Sequence, residues 1–105
     1  MIARTWRGRT KAADRDRYVE YLERTGCPDL RATPGNRGVF VFRRTEGDVA
    51  EFLLVSLWES FEAIRRFAGP DPEVARYYPE DSRFLLEMEP RVTHFEVVAA
   101  PTEQG

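Results

Sequence analysis

The chain predicts an α+β domain of the ferredoxin-like kind, βαββαβ, with extra short helices before the last strand. Three observations lead there. First, Phe52 to Trp58 is apolar on both alternating sets: Phe52, Leu54 and Trp58 on one, Leu53, Val55 and Leu57 on the other. A strand with one buried face alternates apolar with polar, so both faces of this one are expected to be covered. Second, the period then changes. Ser60 is placed to cap a helix whose Phe61, Ile64, Phe67 and Ala68 fall in one stripe, and Gly69 and Pro70 end it. Third, the remaining periodic segments stand around this unit in the order of a split βαβ arrangement, an antiparallel sheet with helices on one side. The far side would then be wet, yet Phe52, Leu53, Leu54, Val55 and Leu57 leave much apolar surface. Two copies are therefore expected to close sheet against sheet as a homodimer.

In chain order, Ile2 to Arg9 reads as the first strand, with arginines that suggest an edge or a face opening on a cavity. Thr10 is a candidate cap for a helix from Lys11 to about Thr25, with Ala12, Tyr18, Val19 and Leu22 inside, Tyr21 beside them, and acids and arginines outside. Gly26 is expected to end it. Cys27 to Asn36, with Pro28, Pro34 and Gly35, reads as a loop. Gly38 to Arg44 is the second strand, and Thr45-Glu46-Gly47-Asp48 the turn of a hairpin. After the second helix, Asp71 and Pro72 predict a short helical turn through Ala75 to Tyr78. Pro79 then opens a short helix over Glu80 to Met88, and Arg91 to Ala99 is the last strand. PTEQG, residues 101–105, reads as a flexible tail.

The 105 residues suit one domain, placed at 1–100. With 42% hydrophobic and 32% charged residues, a formal net charge of −2 and no basic tract, nucleic acid is not an expected partner. No apolar run approaches the ~20 residues that span a bilayer, so no membrane role is expected. The N-terminal stretch has no signal-peptide core, and Cys27 is the one cysteine, which fits a cytoplasmic location.

The passages LWESFEAIRRF, PEDSRFLLEMEP and THFEVV, in this element order, resemble the antibiotic biosynthesis monooxygenase superfamily over roughly Ile2 to Val98. The resemblance implies a dimeric α+β barrel with a pocket in each subunit between the sheet and its helices. Trp6, Trp58, Phe67, Tyr77, Tyr78, Phe84 and His94 are the candidates to line it. The superfamily includes cofactor-independent monooxygenases of aromatic polyketides, quinol oxidases and haem-degrading enzymes. The haem-degrading branch holds iron with a histidine after the second helix. The matching stretch here, RRFAGPDPEVARYY, has none. The expectation is therefore no cofactor and no metal.

No nucleotide-binding glycine motif, zinc-type cluster or nucleophile elbow is present. The candidate catalytic groups are His94, a base near neutral pH with Glu96 on the same face to orient it, and the Tyr77 hydroxyl. Arg4 or Arg91 is the candidate to stabilise an anion. Trp58, Trp6, Phe67, Tyr78 and Phe84 are the candidates for substrate binding. For His94 the competing role is a hydrogen-bonded residue at the dimer contact; for the tryptophans it is core packing. Two functions follow. One is a cofactor-free oxidation of an electron-rich aromatic, a polyketide, anthrone or quinol, in an open pocket of roughly a few hundred Å³. The other is a non-catalytic dimeric module that binds a small aromatic or serves assembly, its pocket filled by the protein's own rings.

Overall fold

The computed structural model describes residues 1–101, so all of the expected tail except Pro101 lies outside the described residues. Strand β1, Ile2–Lys11, pairs with β3, Val49–Trp58, along its whole length, from Ile2 opposite Trp58 to Lys11 opposite Val49. Strand β2, Asn36–Glu46, lies on the far edge of β3, and β4, Thr93–Glu96, on the far edge of β1. The order is β2-β3-β1-β4 with every pair antiparallel, the ferredoxin-like sheet that the sequence predicts. Helices α1, Arg15–Arg24, α2, Gly26–Ala32, α3, Phe61–Ala68, and the single turn α4, Asp81–Phe84, complete the chain. No helix of the described residues is long and apolar enough to cross a membrane.

Alternation along β3 sorts the two faces. Ala50, Phe52, Ser56 and Trp58 are buried under the helices, while Leu53, Val55 and Leu57 stay half-buried on the outer face. Opposite Val55 and Leu53 on β2 stand Phe40 and Phe42, and Phe95 on β4 stands opposite Ala3 of β1, each about half exposed. The interior forms two clusters. Trp6, Tyr18, Tyr21, Leu22, Cys27 and Phe52 gather under α1. Leu30, Trp58, Ala63, Ile64 and Phe67 gather under α2 and α3, and Leu54 and Val39 touch both.

Several boundaries differ from the sequence reading. Thr10 is no helix cap: it is fully buried within β1, which runs to Lys11, and a 3-10 turn, Ala12–Asp14, leads into α1. Gly26 begins a helix instead of closing one, and Cys27 to Ala32 is helical. Pro28 is the third residue of α2, where its missing N–H would have no partner in the helix anyway. The helices break between them at Thr25, where φ is −120° and ψ −86°. Within α3 the Ser60 hydroxyl accepts from the Ala63 N–H at 3.1 Å, as its capping role requires. The buried stripe is Ala63, Ile64 and Phe67, whereas Phe61 is 41% exposed and Ala68 half-buried.

The stretch between α3 and β4 departs most. Ala75 to Tyr78 is not helical: Ala75 N–H reaches Pro90 O at 2.9 Å, Tyr78 N–H goes to the Asp81 carboxylate at 2.7 Å, and just before them Glu73 O accepts from Val92 N–H at 2.8 Å. The helix expected to Met88 stops at Phe84, since Leu85 bridges Thr10 and Leu86 N–H donates to Arg9 O at 2.8 Å. Strand β4 is four residues long, extended by one further bond from Val97 N–H to Met1 O at 3.0 Å.

The phase of α3 sets a contrast. Phe67→Ala is expected to cost about 3–5 kcal/mol in urea unfolding, and Phe61→Ala less than about 1 kcal/mol. Equal or reversed losses would mean that the helix presents a different face.

Candidate functional site

Alternation on β1 sends Arg4, Trp6 and Gly8 inward beneath the helices. The Trp6 ring lies along the strand over Gly8, where an added Cβ would collide with the indole. That close approach requires glycine. It also turns the indole Nε1–H toward Tyr77, whose hydroxyl accepts at 3.2 Å and in turn donates to Glu89 O at 2.5 Å. The segment from Pro70 to Val92 is thereby fastened across the inner face by side chains as well as by backbone.

A cavity of about 40 Å³ lies between the sheet and this segment. Arg4, Trp6 and Leu54 form its sheet wall; Tyr18, Leu22, Gly26 and Leu30 form the wall from α1 and α2. Phe67, Arg76, Tyr77, Tyr78 and Asp81 close it. The sequence reading asks for an open pocket of hundreds of Å³. Here the protein's own rings fill the space, and the remainder holds a few water molecules at most.

Polar groups around the cavity are specifically paired. Asp81, 4% exposed, accepts the Tyr18 hydroxyl at 2.8 Å through one oxygen and the Tyr78 N–H at 2.7 Å through the other. Burial, with the Asp81 charge beside it, raises the Tyr18 pKa far above the ordinary phenol value. Tyr78 donates to Asp29 at 2.6 Å, and burial and that bond raise its pKa too. Burial likewise raises Tyr77, so all three phenols are protonated at neutral pH. Arg4 is 5% exposed; one terminal N–H reaches Val74 O at 2.8 Å, but its buried Nε has no partner. Burial lowers its pKa to about 10. The Arg4 and Arg76 guanidinium carbons lie 5.4 and 4.8 Å from the centre of the Phe67 ring.

The sequence-predicted residues divide into groups. Trp6, Phe67, Tyr77 and Tyr78 meet at the cavity. Trp58, fully buried, donates to Ser56 Oγ at 2.8 Å and packs on Phe67 in the second cluster. Phe84 packs against Tyr18 and Tyr21. His94 stands opposite Arg4 on β4, one strand farther from the cavity, with Phe61 edge-on at 5.2 Å and its buried Nε2 unpaired. Glu96 is on the same face, but among the described residues His94 makes no hydrogen bond to it. Arg91 is exposed and bound to Asp71 at 3.1 Å and Glu73 at 3.3 Å. Cys27 is sealed in the core, its thiol pushed up to about 11 by burial. Asp81, Tyr18 and Arg76 stand outside the sequence-derived set: Tyr18 falls in the inner stripe of the first helix, and no local pattern sets Asp81 or Arg76 apart from other charged residues.

Among known proteins, no family model matches the chain and no curated protein does. Solved structures share its fold, among them these two. One is a point mutant of MhuD with two manganese protoporphyrin IX molecules bound in each active site: 19% identity, TM-score 0.63, covering 98% of this chain and 100% of that one. The other is a candidate antibiotic biosynthesis monooxygenase from Bacillus cereus: 18% identity, TM-score 0.65, covering 100% of this chain and 98% of that one. At these identities the likeness is one of fold: the chain shares the α+β fold of both structures.

A porphyrin does not fit the site as it stands. The cavity is far smaller than the roughly 300–1,000 Å³ of small-molecule pockets. The one histidine of the chain stands outside its wall, and the Tyr77 oxygen is committed to Trp6 and Glu89.

His94 supplies a prediction. Burial first, and then the Arg4 charge, lower its pKa below the usual ~6.5, against a smaller upward pull from Glu73. The unfolded chain therefore binds this proton at a higher pH than the folded one. Stability should decline as the pH falls through ~6.5 toward the folded midpoint. NMR titration should place that midpoint below the free value, Arg4→Met should raise it, and Glu73→Gln should lower it. A midpoint above the free value, or one indifferent to Arg4, would refute this electrostatic arrangement.

Proposed function

We propose that the chain oxidises an electron-rich aromatic, of anthrone or quinol type, directly with dioxygen in the inner cavity, without flavin, haem or metal. The observation that carries this reading is the convergence of Trp6, Phe67, Tyr77 and Tyr78 with the buried Arg4 on one cavity of a monooxygenase-like fold. For an anthrone the balance is simple. The base removes a proton from the ring CH₂, the resulting enolate gives an electron to O₂, and the two recombine as a peroxide. Loss of water then leaves a quinone: one oxygen atom is retained and the other departs with both hydrogens.

Each step has a protein group behind it. His94, with its lowered pKa, is neutral at pH 7 and serves as the base; it stands one strand beyond Arg4, outside the cavity wall, so the substrate has to extend past Arg4 to meet it. Arg4 balances the enolate charge where water is excluded. The Tyr77 hydroxyl, a protonated phenol, is placed to hold the substrate carbonyl once it gives up Glu89 O. A substrate of several rings needs more room than 40 Å³. The space is gained by moving Arg76 and Tyr78, which sit on an irregular segment and keep part of their surface in solvent.

The same reading includes a homodimer through the outer sheet face. Phe40 and Phe42, 49% and 50% exposed, stand beside Leu53, Val55 and Leu57 as an apolar surface across β2 and β3, and Phe95, 57% exposed, lies on β4 beyond Ala3 of β1. A hollow of about 300 Å³, bordered by Arg7, Phe42 and Leu53, opens on that face and would lie at its contact. A cytoplasmic setting suits the buried thiol of Cys27. The closed cavity favours one alternative: a dimeric module of the same fold that binds a small molecule without transforming it.

Oxygen uptake by metal-stripped protein offered an anthrone tests the reaction. Uptake should exceed the uncatalysed rate, fall by about 10²-fold or more in His94→Ala, and fall in Tyr77→Phe. No uptake from folded protein would leave the binding module. Light scattering at micromolar concentration should give twice the chain mass, and Leu53→Glu should halve it; a wild-type monomer would sink the dimer.

A further inference from the structure

We propose that Arg4 is the floor of an anion subsite: the inner cavity takes an anionic oxygen, carboxylate or phenolate, as the counter-ion that this guanidinium lacks. The inference rests on the reading of the cavity as the binding place, but not on any reaction there.

The distribution of charge partners carries it. Arginines with much of their side chain in solvent have carboxylate partners across the surface: Arg9 with Glu87, Arg37 with Glu59, Arg44 with Glu51, Arg91 with Asp71 and Glu73. Arg4, 5% exposed, has none within 4.0 Å among the described residues. This inverts the usual pattern, in which a guanidinium is buried only when it is paired. Its one polar contact is Val74 O, and its Nε is shut from solvent with no acceptor. The cavity's carboxylate, Asp81, is already committed to the Tyr18 hydroxyl and the Tyr78 N–H.

Two further groups favour an anion. Arg76 lines the same cavity and lies over the same Phe67 ring, so a second cation stands at its outer side, 3.5 Å from Asp29. His94 faces Arg4 across the β1–β4 register, and its buried Nε2 is, like Arg4 Nε, without a partner among the described residues. The space of about 40 Å³ admits a head group of a few atoms, with the rest of a larger ligand passing Arg76 and Tyr78. An oxygen at Arg4 offsets the positive charge that disfavours protonation of His94, so occupancy is readable at the imidazole.

The test uses the full chain with three probes: formate, 2-naphthoate and the neutral 2-naphthamide. Calorimetry measures affinity, and NMR follows the His94 titration in wild type, Arg4→Met and Arg4→Lys. The expected result is that formate or 2-naphthoate binds once per chain and moves the His94 midpoint upward. Affinity should fall at least tenfold in Arg4→Met and less in Arg4→Lys, and the amide should bind weakly. A clear preference for 2-naphthoate over formate identifies an aromatic acid as the ligand; the converse identifies a free small carboxylate. If neither probe binds, or if binding leaves His94 unmoved, the proposal is overturned, and this reading needs no variant. Affinity unchanged in a folded Arg4→Met also overturns it. Anion binding without oxygen uptake retains the subsite and removes the oxidation; uptake that is indifferent to Arg4 does the reverse.

Discussion

Everything in this fold follows from the unbroken register between β1 and β3. Because side chains alternate along a strand, pairing Ile2 with Trp58 and Lys11 with Val49 settles the face of every residue between them. A slip of one position would carry Arg4 and Trp6 to the outside and bring Thr5 and Arg7 beneath the helices. The register also divides the labour of the sheet: one face becomes cavity wall and core, the other an apolar plane. Helices α1, α2 and α3 then find their burial against a surface already defined.

The second constraint is that the inner face is longer than the helices that cover it. Past α3, the chain from Pro70 to Val92 does the covering with a single turn of helix. Its backbone groups are satisfied piecemeal, by Arg9 O, by the Val74–Arg91 bridge and by side chains such as Tyr21, whose hydroxyl accepts from Glu80 N–H at 2.8 Å. Few of these bonds are cooperative with one another. A segment held this way opens locally at a lower free energy than a helix of the same length packed by a hydrophobic stripe. The part of the molecule that closes the cavity is therefore also the part best able to uncover it.

Periodicity made the framework legible. The doubly apolar β3, the Ser60 cap and the hairpin at Gly47, where φ is 59°, could be read because each is a local signal with a local cause. What escaped had distant causes. Pro28 looked like a helix breaker, and only its place in the first turn of α2 makes it harmless. Ala75 to Tyr78 has helical composition, but Ala75 N–H is claimed by the distant Pro90 O and Tyr78 N–H by the Asp81 side chain. At the site, strand parity sets the face of Trp6 and helix phase that of Phe67, whereas Tyr77 and Tyr78 enter only through the family resemblance, because their stretch is neither strand nor helix. The closure of the pocket did not, because it depends on how rings pack across elements. The isolation of Arg4 is a statement about what is missing around it, and no local pattern encodes that.

The two tryptophans belong to separate clusters, Trp6 beside the cavity and Trp58 at the α2–α3 end. Trp6 keeps its indole N–H on the Tyr77 hydroxyl in the cavity wall, whereas Trp58 is sealed with its N–H on Ser56. The chain thus carries two built-in optical reporters with different assignments. The emission of one answers to events in the cavity, and the emission of the other to the integrity of the fold. With Trp58 replaced by phenylalanine, what remains is a fluorescent indicator of occupancy that needs no dye.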